Sequence, residues 1–157
     1  MSETAGWRIR QATVADIETI LHHRRSMFAD MGDGSEAELD AMVTSARPFV
    51  EAAFRDGSYR GWLIEVGGYV VAGGGVAIVA YQPTPLDSAP RRAYVLNMYT
   101  EPAYRRQGMA RRVLEAIIPW CREQGLKAVL LHASDAGRPL YLQMGFEPTN
   151  EMRLYLR

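Results

Sequence analysis

The sequence has a single cysteine, Cys121, in 157 residues, which excludes an internal disulfide framework and fits a reducing compartment. It has no apolar run near the ~18 residues of a membrane span. Its start, MSETAGWRIRQ, lacks the apolar stretch of a signal peptide, so the expected location is the cytoplasm. It has no net charge: eighteen basic residues balance eighteen acidic ones, and no global field draws the chain to nucleic acid or to an anionic membrane. Any anion binding must come from local clusters. Repeats, low-complexity tracts and dividing linkers are absent too, so one domain spanning residues 1–157 is expected. With only three histidines and no cysteine or carboxylate spacing to support them, no metal site is expected.

What is present is an ordinary globular composition, 48% apolar and 23% charged. A short strand around Trp7 to Arg10 precedes Thr13 and Asp16, a capping-box spacing that opens a first helix through Ile17, Ile20, Leu21 and Phe28. Ser35 and Glu38 open a second helix, which reaches roughly to Phe54 with Pro48 as a kink or break. Two β-rich runs then flank Gly67 and Gly68, a two-residue linker of the type I′ hairpin kind. Gly73, Gly74 and Gly75 do not make a nucleotide loop, because strand continues after them where a helix would be required. A bulge or close backbone approach is expected there instead. After a proline-rich loop comes a strand, AYVLNMYT. A helix follows with apolar Val113, Leu114, Ile117, Ile118 and Cys121 on one stripe, a bend expected at Pro119 and a C-terminal cap at Gly125. KAVLLHA reads as a strand, GRPLYLQMG as a short helix, and EMRLYLR, alternating Met152, Leu154 and Leu156, as a final strand. The order predicts a mixed, mostly antiparallel sheet with one parallel strand–helix–strand crossover between residues 93 and 132.

The junction YRRQGMARR carries the first functional signal. A strand ending at Thr100, a turn with Pro102 and a glycine at a helix start form a recipe for phosphate binding, because the first helical amides lack internal partners and carry the positive end of the dipole. The missing Cβ of Gly108 lets an anion approach the backbone, and Ala110 keeps the rim low. Arg105, Arg106, Arg111 and Arg112 add charge, but at roughly 100° per residue they cannot all face one ligand.

Arg105-x-x-Gly108-x-Ala110 resembles motif A, Arg/Gln-x-x-Gly-x-Gly/Ala, of the GCN5-related N-acetyltransferase (GNAT) superfamily, and LHASDAGRPLYLQMGF resembles that family's fifth strand, fourth helix and closing Gly-Phe. With the matching element order, the resemblance covers essentially the whole chain, most specifically residues 94 to 146. It implies an α/β (α+β) GNAT acyl-CoA N-acyltransferase fold with acetyl-CoA as cosubstrate. By similarity, Arg105, Arg106, Gln107, Gly108, Met109 and Ala110 form the pyrophosphate loop, chiefly through backbone amides. Met98, Tyr99 and Thr100 end the strand that pairs with the pantetheine arm, in a gap where the fourth and fifth strands splay apart. Ala110 stands in place of the commoner second glycine. Asp135 lies near where many members carry a coenzyme-contacting asparagine, and Ser134 is the alternative there.

Transfer of an acetyl group from a thioester to an amine needs a neutral nucleophile, charge stabilisation on the carbonyl oxygen and a proton for the departing thiolate. Tyr141 aligns with the family's general acid. With a tyrosine pKa of ~10 against ~8.5 for a cysteine-like thiol, it would mainly hydrogen-bond the developing thiolate. His132 and Glu65 are the weak candidates for a base, and water relayed from the acceptor side would need neither. HHRRSMF, residues 22 to 28, falls on the first helix, which helps line the acceptor site in this family. Consecutive His22, His23, Arg24 and Arg25 point around the helix, so a solvated face is the default and an anionic group on the acceptor the minority reading. The expected activity is acetyl-CoA-dependent N-acetyltransfer to an amine of a small molecule or peptide, with a non-catalytic CoA-binding sensor of the same fold as the alternative. The C-terminal strand could pair across a homodimer, as in some relatives.

Overall fold

The computed structural model describes residues 6–156. Five strands form one sheet in the order β1-β2-β3-β4-β5: β1 Trp7–Gln11, β2 Tyr59–Val66, β3 Tyr69–Ala80, β4 Arg91–Thr100 and β5 Val129–Leu131. The first four are antiparallel, and β5 runs parallel to β4. Helices α1 (Ile17–Asp30) and α2 (Glu36–Asp56) come before β2, α3 (Met109–Glu123) joins β4 to β5, and the single-turn-scale α4 (Arg138–Gln143) follows β5. This is the mixed sheet with one parallel crossover that the element order predicts.

Local chemistry explains most boundaries. Thr13 and Asp16 complete a capping box at a 3-10 turn (Val14–Asp16) that leads into α1, and Ser35 with Glu38 completes another at α2. Helix α2 continues unbroken past Pro48 to Asp56. Gly67 and Gly68 both have positive φ, 56° and 85°, as a type I′ turn demands, with Val66 facing Tyr69 across it. At the end of α3, Gly125 N–H donates to the Arg122 carbonyl and Leu126 N–H to Cys121 while Gly125 sits at φ 74°, a complete Schellman motif.

Packing divides between the two faces of the sheet. The apolar stripe of α3 (Val113, Leu114, Ile117, Cys121) is buried with Trp62, Ile64, Val76 and Val95 on one face. Ile20 and Leu21 of α1 pack with Val50, Ala53, Tyr59 and Ala77 on the other. Arg10 forks onto both oxygens of Asp16, 2.8 and 2.9 Å, and reaches Glu65 at 2.6 Å, which ties the capping box to the β1–β2 ladder. The three glycines of β3 are required for close approach. A Cβ on Gly73 would lie 2.7 Å from Leu63 Cδ2 and 3.0 Å from the Trp62 carbonyl, while on Gly74 and Gly75 it would collide with Met98 and Tyr59. The register also shifts between Gly73 and Gly75, as expected for a bulge.

The expected C-terminal strand does not form. Residues 147–156 carry no strand, and Met152, Leu154 and Leu156 stand exposed. Alternation specifies a face but not a partner, and the three-residue β5 offers only a short ladder to pair with. Between that segment, β5 and α4 lies a groove of about 1130 Å³.

Because the Leu63 and Trp62 atoms beside Gly73 belong to the core of the sheet, Gly73→Ala is expected to cost about 1 to 3 kcal/mol in urea unfolding through overpacking.

Candidate active site

Strand β4 pairs with β3 from Ala72 to Ala80 but with β5 at only three positions, Ala93–Val129, Tyr94–Leu130 and Val95–Leu131. From Leu96 to Thr100 its β5-side edge has no strand beside it. The departure coincides with a bulge. Asn97 takes φ 61°, and Asn97 and Met98 together lie between the Leu96–Gly75 and Tyr99–Gly73 pairs, so two residues on β4 oppose Gly74 alone. Asn97 is buried, donating through Nδ2 to the Tyr59 hydroxyl at 3.2 Å and accepting through Oδ1 from Arg24 Nη1 at 3.0 Å. The bulge aims Met98 over Gly74 and Val113 and sends Tyr99 to the α1 face, against His22 and His23.

Beyond Thr100 a 3-10 turn (Pro102–Tyr104) leads to a loop in which Arg106 and Gly108 both adopt positive φ, 61° and 79°. Gly108 is the N-cap of α3 and no side chain caps the helix start. Two left-handed residues on either side of Gln107, just before an uncapped helix start, are a backbone arrangement of the kind that turns amides towards an anion. Met109 buries its side chain in the core, so only its backbone is available to that arrangement. Here the residues suit a diphosphate by position of amides and absence of bulk.

The arginines divide as their spacing requires. Arg105 donates to the Thr100 carbonyl at 2.9 Å and pairs with Asp30, bracing the turn. Gln107 donates to the Ala103 carbonyl at 3.3 Å, Arg111 donates to Gln143 at 3.0 Å, and Arg112 lies 4.3 Å from the Trp7 ring centroid. Arg106 forms no ion pair among the described residues and is exposed.

On the other side of the gap, Ser134 Oγ accepts from Gly137 N–H at 3.1 Å and organises the turn into α4, while Asp135 is exposed. Tyr141 lies on α4, half-buried against Phe146 at 5.7 Å between ring centroids. Burial pushes its phenol above the usual tyrosine range, so it stays protonated through neutral pH as a hydrogen-bond donor.

The two weak candidates for a base are occupied elsewhere. Glu65 accepts from Arg8 and Arg10, which hold its carboxyl below the usual range, and His132 Nδ1 lies 2.9 Å from Arg153 Nη2. Helix α1 instead places His22 Nε2 at 2.8 Å from Glu101 Oε1, a carboxylate-held imidazole at the end of β4. A pair of this kind can accept a proton. His23 is 1% exposed, its Nε2 has no hydrogen-bond partner among the described residues, and burial lowers its pKa to about 4. The sequence reading gave this residue a solvated face. The missed signal is its i+3 spacing from Ile20, which puts it on the buried stripe of α1. Among the described residues no group of His, Cys, Asp and Glu is placed to hold a metal ion, and no helix is long and apolar enough to cross a membrane.

A mixed sheet whose parallel pair, β4 and the edge strand β5, parts beside an uncapped helix start matches the GNAT acyl-CoA N-acyltransferase fold. The model of the acetyltransferase (GNAT) family matches residues 18–146, and the chain belongs to that family. It is 33% identical to a GCN5-related N-acetyltransferase from Ralstonia eutropha JMP134, covering 96% of this chain and 99% of that one with a TM-score of 0.91. It is 26% identical to a predicted acetyltransferase from Clostridium acetobutylicum solved with acetyl-CoA, covering 96% of each chain with a TM-score of 0.86. Glucosamine-6-phosphate N-acetyltransferase from Arabidopsis thaliana shares the fold at 17% identity and a TM-score of 0.64, over 99% of this chain and 100% of that one. No curated protein matches the chain.

The buried histidine has a measurable consequence. His23 ionises near pH 4 when folded and near 6.5 when unfolded, so below pH 6.5 the unfolded chain binds more protons. Its neutral burial therefore contributes stability that is intact above pH 6.5 and lost as pH falls towards 4. Urea unfolding should show about 2 kcal/mol less stability at pH 5 than at pH 7 from this residue, a difference that His23→Leu removes.

Proposed function

We propose that this protein is an acetyl-CoA-dependent N-acetyltransferase acting by direct transfer to an amine. One observation carries the reading: the unpaired edge of β4 from Leu96 to Thr100 leads straight to the uncapped start of α3 at Gly108. An extended chain that ends in a diphosphate can add to the first as a strand and place its charge on the second. The relative from Clostridium acetobutylicum, solved with acetyl-CoA, supports the choice of ligand.

When bound, acetyl-CoA supplies the activated thioester. The backbone of Met98, Tyr99 and Thr100 aligns the pantetheine arm and gives an amide to the carbonyl oxygen. The amides around Gly108, Met109 and Ala110 hold the pyrophosphate, and Arg106 adds charge at the rim. As the N–C bond forms and the C–S bond breaks, Tyr141 serves as general acid to the departing thiolate, and the proton lost by the amine leaves through water on the acceptor side. The acceptor approaches from the α1 face, where Tyr99, His22 and His23 meet.

Acetyl-CoA should bind to the purified protein by calorimetry, and its absence at high micromolar concentration would remove the reading. Tyr141→Phe should lower kcat by roughly 10²- to 10⁴-fold in a thiol-release assay with an amine panel while leaving acetyl-CoA affinity nearly unchanged. An unchanged kcat would take Tyr141 out of the mechanism. Binding with no turnover across the panel would favour a sensor role.

A further inference from the structure

Helix α1 holds a cation that the protein itself does not neutralise. Arg25 pairs with Glu36 and Asp40, Arg105 with Asp30, Arg47 with Glu18, and His22 sits on Glu101. Arg24 differs. Among the described residues it has no carboxylate within ion-pair distance, and its one side-chain partner is the neutral amide oxygen of Asn97. Like Arg25 it is partly buried, but where Arg25 has two carboxylates Arg24 has only neutral neighbours, with its guanidinium 5.0 Å from the Phe28 ring centroid and beside the buried Tyr59. Withdrawing a guanidinium from water without a counter-charge is costly. A guanidinium carries five donors in a planar fork, and the single bond to Asn97 leaves most of that fork unused.

The position of this cation is fixed relative to the expected chemistry. Asn97 occupies the bulge and immediately precedes Met98–Thr100, so the Arg24 contact lies within about 10 Å of the strand end at ~3.3 Å per residue. Tyr99, on the same face, contacts His22 and His23 of the same helix. An acceptor amine approaching from this face meets Arg24 with whatever group it carries nearby.

We propose that Arg24 is a specificity-determining residue whose unused fork takes a carboxylate or phosphate of the acceptor, so that the preferred acceptors are small amines bearing an oxyanion. This rests on the acetyltransfer reading above and deepens it. Asn97 holds one edge of the guanidinium, Phe28 supports its face, and the oxyanion provides the counter-charge that the fold omits.

The test uses matched pairs that differ only in the anionic group: agmatine against arginine, cadaverine against lysine, ethanolamine against O-phosphoethanolamine. Thiol release is followed with acetyl-CoA, and binding of each amine to the CoA-loaded protein is followed by calorimetry. The anionic member of at least one type should be favoured by about 10- to 100-fold in kcat/KM, mainly through KM. The carboxylate and phosphate pairs tell the two sources apart. Arg24→Gln should collapse the ratio towards one, Arg24→Lys should keep part of it, and Arg25→Gln, on the next residue and outside the site, should leave it as in the wild type. Arg24-dependent binding of an anionic amine without turnover would support the assignment while overturning acetyltransfer. Turnover of the neutral members at equal or better efficiency would overturn the assignment while acetyltransfer stands. An unchanged ratio in folded Arg24→Gln, or no binding and no turnover for any pair, would also overturn it.

Discussion

The architecture of the site depends on one backbone event, the bulge at Asn97. From Ala93 to Val95 the fourth strand is paired on both sides, and after the bulge it keeps only β3. A non-glycine residue at φ 61° is uncommon, and asparagine is among those that tolerate it best. Here the surroundings also hold it: Asn97 is buried, bonded to Tyr59 and Arg24, and opposite a glycine that leaves room for Met98. A straight strand would continue its ladder with β5 and close the gap. The bent one leaves backbone donors and acceptors facing the space beside α4.

That bend links three regions distant in sequence. Tyr59 comes from β2, Arg24 from α1 and Gly74 from β3, and each supports the bulge from a different direction. The same helix that holds Asn97 through Arg24 also packs His22 and His23 against Tyr99, on the face proposed for the acceptor. The helix start at Gly108 follows only a few residues after the strand end, with Arg105 bracing the turn on the Thr100 carbonyl. A free strand edge and an uncapped helix start are thus braced against each other.

Much of this was legible because its signals are local. Both capping boxes, the Gly67-Gly68 turn, the apolar stripe of α3 and the glycine at its C-terminus each occupy a few consecutive residues, and each formed as its residue types require. Gly108 was likewise legible from its place between a strand and an amphipathic helix. The rest lay in contacts across long separations. Nothing near residue 24 announces Asn97, and nothing near Glu65 announces that Arg10 would claim it. His23 was missed because a run of four polar side chains, two histidines and two arginines, obscured its place on the buried stripe. The C-terminal alternation was read as a strand, but periodicity cannot say whether an edge is there to receive one.

The central claim is that the free edge of β4 and the start of α3 bind one extended ligand together. Hydrogen exchange of the protein with and without acetyl-CoA tests it most directly. The account predicts slowed exchange at the amides of residues 98–100 and 108–110 in the same complex. Binding that leaves both segments unprotected, or slows only one of them, would contradict it.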